Sequence, residues 1–165
     1  MARVVLVGLP GVGKSTVATA LAAALAVEAI DADEYFAHVR GISVPDFLRA
    51  EGEAAFRTAE TELLAELLAL DVVIATGGGV VTTEDSRLLL ERAFTVWLDA
   101  PDDILLARTE GGDRPLLGDD RAAALRLLRE RRAPLYEAVA SIRVDASGDV
   151  VDVTKEILGQ MERVS

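Results

Sequence analysis

Gly8-Leu9-Pro10-Gly11-Val12-Gly13-Lys14-Ser15 comes straight after the apolar run Val4–Val7. A buried strand that ends in a glycine-rich turn and opens a helix lets bare backbone N–H groups wrap a polyphosphate, with the helix N-terminus adding positive potential. In that geometry Gly8, Gly11 and Gly13 permit close backbone approach, Lys14 reaches the β- and γ-phosphates, and the Ser15 hydroxyl serves magnesium. A second carrier of chemistry is Asp31-Ala32-Asp33, which follows another apolar run. While a strand persists, alternation puts both carboxylates on one side. One can then hold a metal-bound water and the other accept a proton from an attacking hydroxyl. A plainer use of Asp33 is to cap a helix.

Three arginines stand apart from these. Arg57 and Arg132, each taken alone, fit a solvated helix face. Arg114, in Gly111-Gly112-Asp113-Arg114-Pro115, belongs to a loop, and a guanidinium carried by a closing loop can stabilise the charge on a transferring phosphoryl group. Its plainer reading is an exposed loop arginine. His38 has no partner at metal-ligand spacing and reads as an ordinary helix or surface residue, and Trp97 reads as core.

Elements must bring these groups together. The runs Val4–Val7, Glu28–Ile30, Val72–Ala75, Phe94–Leu98 and Ile142–Val144 are short and separated by longer amphipathic segments. They predict parallel strands of an α/β fold with helices on both faces of the sheet. Val17, Ala18, Leu21, Ala22 and Leu25 recur at helical spacing after the phosphate loop, and a long helical stretch is expected from near Val44 through Leu70. Gly77-Gly78-Gly79 breaks the pattern directly after a strand. Ligands gather at the carboxyl ends of parallel strands, so both glycine clusters should share one edge of the molecule. Two segments interrupt the alternation, 33–60 and 109–121, and such insertions bind a second substrate or close over it.

With 165 residues and 51% apolar content, one globular domain spanning 1–165 is expected. The net charge of -11 argues against a nucleic-acid partner. The chain has no cysteine, no leader pattern after Met1 and no apolar run long enough to span a bilayer. A cytoplasmic, untargeted protein without a membrane partner is therefore expected.

In order and spacing these pieces resemble the shikimate kinase family, small P-loop kinases of the nucleoside-monophosphate-kinase structural type. The resemblance runs nearly end to end. It rests on Gly8–Thr16, Asp31-Ala32-Asp33, Gly52-Glu53 with Phe56-Arg57, Gly77-Gly78-Gly79-Val80-Val81-Thr82, Arg114-Pro115-Leu116-Leu117 and Arg132-Ala133-Pro134-Leu135-Tyr136.

The resemblance implies a three-layer α/β/α fold with a five-stranded parallel sheet in the order 2-3-1-4-5, a substrate-binding insertion at 33–60 and a lid at 109–121. It implies a monomer that transfers the γ-phosphoryl group of ATP to the 3-hydroxyl of shikimate. Gly11, Val12, Gly13, Lys14, Ser15 and Thr16 would bind the nucleotide, with Arg108 near adenine and the lid's Arg114 on the phosphates. Ser15 and Asp31 would serve Mg2+, and Asp33 would be base or orienter. Arg57 and Arg132 would clamp the shikimate carboxylate, while Gly78 and Gly79 would offer backbone N–H groups. Departures from the family pattern are Phe36-Ala37, where an Ile-Glu pair is common, and Leu48, where a second phenylalanine is common. The adenine-side segment Asp145–Asp149 carries little signature. A gluconate or cyclitol kinase and a nucleotide-binding regulatory domain that has lost turnover are the competing readings.

Overall fold

Strands form at Val4–Val7 (β1), Glu28–Asp31 (β2), Val72–Ala75 (β3), Thr95–Asp99 (β4) and Ile142–Asp145 (β5) in the computed structural model, which describes residues 1–109 and 119–164. All pairings are parallel and the order is β2-β3-β1-β4-β5. Every residue of β1, β3 and β4 is buried. This explains their continuous rather than alternating apolar character, because helices cover both faces of a parallel sheet. The register sets Leu6 of the central strand beside Ala75 and Val96, so these strands end together at one carboxyl edge.

Helices fill the crossovers, α1 (Lys14–Leu25), α2 (Ala32–Arg40), α3 (Val44–Glu51), α4 (Glu53–Leu68), α5 (Glu84–Glu91), α6 (Asp102–Thr109) and α7 (Asp119–Val139), and α8 (Val150–Val164) follows β5. On one side α1 packs against α8, and on the other α5 packs against α4 and α7. The molecule is a three-layer α/β/α sandwich. Val17, Ala18, Leu21 and Ala22 are the buried face of α1, as their spacing predicts. Leu63, Leu64 and Leu67 do the same for α4.

Two local expectations need correction. The helical stretch from Val44 is two helices. Ser43 caps α3 by accepting from the Asp46 N–H, and Gly52, at φ 89° and ψ 168°, ends it and redirects the chain into α4. That conformation is open to glycine at little cost, so the apolar periodicity restarts in a new direction. The strand β2 also stops at Asp31, and helix α2 begins at Ala32. Asp33 therefore lies in the first turn of a helix rather than two places along a strand.

Candidate active site

The phosphate loop joins β1 to α1. Gly13 occupies the N-cap with φ 101° and no side chain caps the helix, so the first N–H groups of α1 are left for a ligand. Lys14 bends back over the loop, its Nζ donating to the Gly8 and Leu9 carbonyls at 2.7 and 3.2 Å. Burial lowers its pKa to about 8; Asp33 and Asp31 oppose the shift and Arg132 adds to it. A phosphate anion at this place would favour the charged lysine.

The two aspartates divide their work. Asp31 Oδ1 accepts from the Asp33 and Glu34 N–H groups at 3.0 and 3.1 Å, so Asp31, not Asp33, caps α2. Its Oδ2 accepts from the Ser15 hydroxyl at 2.5 Å. A hydroxyl and a carboxylate oxygen side by side at the edge of a phosphate loop are a donor set that suits magnesium. Among the described residues no three His, Cys, Asp or Glu side chains form a self-contained metal cage, so such an ion would depend on phosphate and water for its other ligands.

Relieved of capping, the Asp33 carboxylate turns to the triple glycine. There each glycine makes room for one charged side chain. A Cβ on Gly77 would lie 3.0 Å from Asp33 Oδ1, one on Gly78 would lie 3.0 Å from Arg132 Nη1, and one on Gly79 would collide with Arg57 Nη2. The family resemblance implies only N–H roles for Gly78 and Gly79; closeness of packing is a second need that three successive glycines satisfy. Although Asp33 opens onto the cleft, the surrounding protein raises its pKa by desolvation, and Asp31 adds to this while Lys14 and Arg57 oppose it. The shift moves it toward the basicity that a proton acceptor needs.

Arg57 is held at both ends. Its Nη1 donates to Glu60 at 2.9 Å and its Nη2 to Glu53 at 3.4 Å, while its Nε is buried without a partner. Glu60, 7% exposed, was not singled out from the sequence. The available signal was its place three residues after Arg57 on one helix face. Burial raises the Glu60 carboxyl, with Arg57 opposing. Beside these groups the rings of Phe36, Phe47 and Phe56 cluster, with Phe36 5.2 Å from Phe47 and 5.3 Å from Phe56.

A cleft of about 510 Å³ joins the two halves, with Lys14, Ser15 and Asp31 on one side and Asp33, Gly77 and Gly78 on the other. Arg108 borders it and ties two loops: it donates to the carbonyls of Val12 at 2.9 Å and Ala146 at 2.7 Å. A further cavity of about 290 Å³ lies between Val12, Thr16, Arg108 and Asp149. It is bounded by the segment expected to meet adenine. Arg114 falls outside the described residues, as does most of the expected lid.

The family model described as shikimate kinase matches residues 10–162. A shikimate kinase of Synechococcus sp. (strain RCC307) is 40% identical over 161 residues, covering 94% of this chain and 82% of that one. The shikimate kinase of Halorhodospira halophila is 45% identical over 150 residues, covering 88% and 85%. Among solved structures, the shikimate kinase of Acinetobacter baumannii in complex with shikimate superposes with a TM-score of 0.91 at 35% identity, covering 98% of this chain and 93% of that one.

Proposed function

The chain belongs to the shikimate kinase family, and from that premise we propose that it transfers the γ-phosphoryl group of ATP to the 3-hydroxyl of shikimate. The observation that carries the substrate class is the pair of guanidiniums on the triple glycine. Arg57 has a buried Nε with no partner and Arg132 packs beside Gly78, directly next to Asp33 on Gly77. A buried donor without an acceptor is costly, and a carboxylate supplies the missing acceptor in the geometry a guanidinium favours. Shikimate carries a carboxylate and hydroxyls together, so one molecule answers both arginines and Asp33.

The phosphate loop, Thr16 and the Arg108-lined cavity hold ATP, with Lys14 over the β- and γ-phosphates and Arg114 reaching them from the lid. Ser15 and Asp31 hold Mg2+, which when bound neutralises phosphate charge. Asp33 orients the shikimate hydroxyl and takes its proton as the oxygen forms a bond to the γ-phosphorus. The bond from that phosphorus to the bridging oxygen breaks, and ADP leaves. Such transfer depends on positioning and charge rather than covalent catalysis, and a cleft that brings Lys14 and Asp33 together supports it. We read 1–165 as one kinase domain in which 33–60 receives shikimate and 109–121 closes over both substrates. The absence of cysteine supports a reducing, cytoplasmic compartment.

A coupled ADP-release assay across shikimate, quinate, gluconate and a cyclitol tests the proposal. Shikimate should give the highest kcat/KM. Preference for gluconate would overturn the assignment, and the absence of ADP release with every acceptor would favour the regulatory-domain alternative.

A further inference from the structure

The turn after β3 engages all three of its glycine carbonyls and, among the described residues, leaves the three glycine amides without a protein acceptor. The Gly77 carbonyl accepts from the Val80 N–H at 3.2 Å, and the Gly79 carbonyl accepts from the Thr82 N–H at 3.0 Å and the Thr82 hydroxyl at 2.7 Å. Those partners lie within the turn itself. The Gly78 carbonyl instead accepts from the Tyr136 hydroxyl at 2.5 Å, a residue 58 positions away on α7. Among the described residues the N–H groups of Gly77, Gly78 and Gly79 meet no protein acceptor.

A trans peptide sends its carbonyl and the following N–H in opposite directions. The tether on the Gly78 carbonyl therefore sets where the Gly79 N–H points. Both residues flanking this peptide are glycines, so no Cβ resists rotation of the plane. No bond inside the turn holds it either. Were it to flip, a carbonyl oxygen would stand where an amide stood, and an anion there would meet repulsion in place of a donor. Gly77 and Gly78 line the cleft that contains Lys14 and Asp33, so the sign of this dipole acts on the reacting groups.

We propose that Tyr136 is a positioning residue that locks the Gly78–Gly79 peptide with its amide toward the cleft, where it receives the transferring phosphoryl group or the acceptor's carboxylate. Tyr136 suits the task. It is fully buried, and its ring lies 5.9 Å from that of Trp97, which fixes where the hydroxyl sits. Burial also lifts its pKa to about 12, against the lowering influence of Arg132 and Arg57, so the donor proton stays in place. Arg132 stands one helical turn before it and reaches the same glycine. Clamp and lock are thus mounted on one face of α7. The inference rests on the shikimate kinase reading.

Tyr136→Phe keeps the ring against Trp97 and removes the hydroxyl, losing both the donor to Gly78 and the oxygen that Arg132 meets. Its kcat/KM for shikimate should fall about 10- to 100-fold, less than the roughly 10²- to 10³-fold cost of removing a preorganised donor outright, because the Gly79 amide itself remains. Its Kd for ADP should stay within about twofold, because the phosphate loop is untouched. Replacing Tyr136 with 4-aminophenylalanine restores a donor and should recover much of the loss. Wild-type kcat/KM in a folded Phe variant would overturn the lock, as would equal losses toward shikimate and ADP. A further measurement needs no variant. The Gly79 amide cross-peak of the wild-type protein should move on addition of shikimate with ADP and aluminium fluoride, and a peak that stays in place overturns the lock. Failure of the wild type to phosphorylate shikimate overturns the functional reading instead; the response of the same cross-peak to ADP and aluminium fluoride alone then decides the lock.

Discussion

Asp31 and Asp33 differ in what their carboxylates already do. Both oxygens of Asp31 are occupied, one by the N-terminus of α2 and the other by Ser15, whereas Asp33 faces Gly77 and the cleft. Only the second is available to take a proton. Asp33→Asn keeps the shape and loses the base, so kcat should fall by about 10² to 10⁴. ADP binding measured by calorimetry should be unchanged; near-normal turnover would remove Asp33 from the role given to it. Glycine at 79 makes a comparable single-residue demand. An added Cβ would collide with the Arg57 guanidinium, which is held on its other side by Glu60. Gly79→Ala should therefore raise KM for shikimate by about tenfold or more while KM for ATP stays put, the signature of lost acceptor binding.

Elements converge on the site because the strands end together. The turns after β1, β2 and β3 supply the phosphate loop, the aspartates and the glycines, and α4 and α7 bring the arginines from the flank. Away from the cleft, β4 is tied to α7 and β5 through Asp99, whose two oxygens accept from Arg129 at 2.8 Å and Arg143 at 2.5 Å. Burial by itself would raise the Asp99 carboxyl, yet these guanidiniums hold it below its ordinary 3.8. A depressed carboxyl adds stability above its unfolded pKa and loses it as pH falls through its folded value. Asp99→Asn should thus be less stable than the wild type at neutral pH, and the gap should close below about pH 4. Urea titrations at neutral and acid pH check this; a gap independent of pH would mean the network stabilises by packing alone.

At the scale of the whole molecule the buried Tyr136 predicts the alkaline limit of stability. Its pKa rises from 10.0 to about 12, chiefly by burial. A raised value means the folded state holds its proton after the unfolded chain has released one. The stability this group contributes is complete below pH 10 and is lost as pH rises toward 12, up to about 3 kcal/mol at 1.36 kcal/mol per unit. Tyr136→Phe should lack this component, so its unfolding free energy should fall less steeply over that interval. Identical slopes for both proteins would show that other groups govern alkaline unfolding.

The sequence by itself determined the phosphate loop, the parallel α/β class with its strand positions, and the family. These are local signals, in which consecutive residues encode one turn, one strand or one helix face. The tertiary structure alone decided which aspartate caps α2, that Glu60 is buried against Arg57, that each glycine of the triplet houses a particular charged side chain, and that Tyr136 reaches Gly78. Each of these depends on how a cap, a register or a helix face brings separate groups together, and hydrophobic periodicity carries no information about such pairings. It shows that a face is buried without showing what it is buried against.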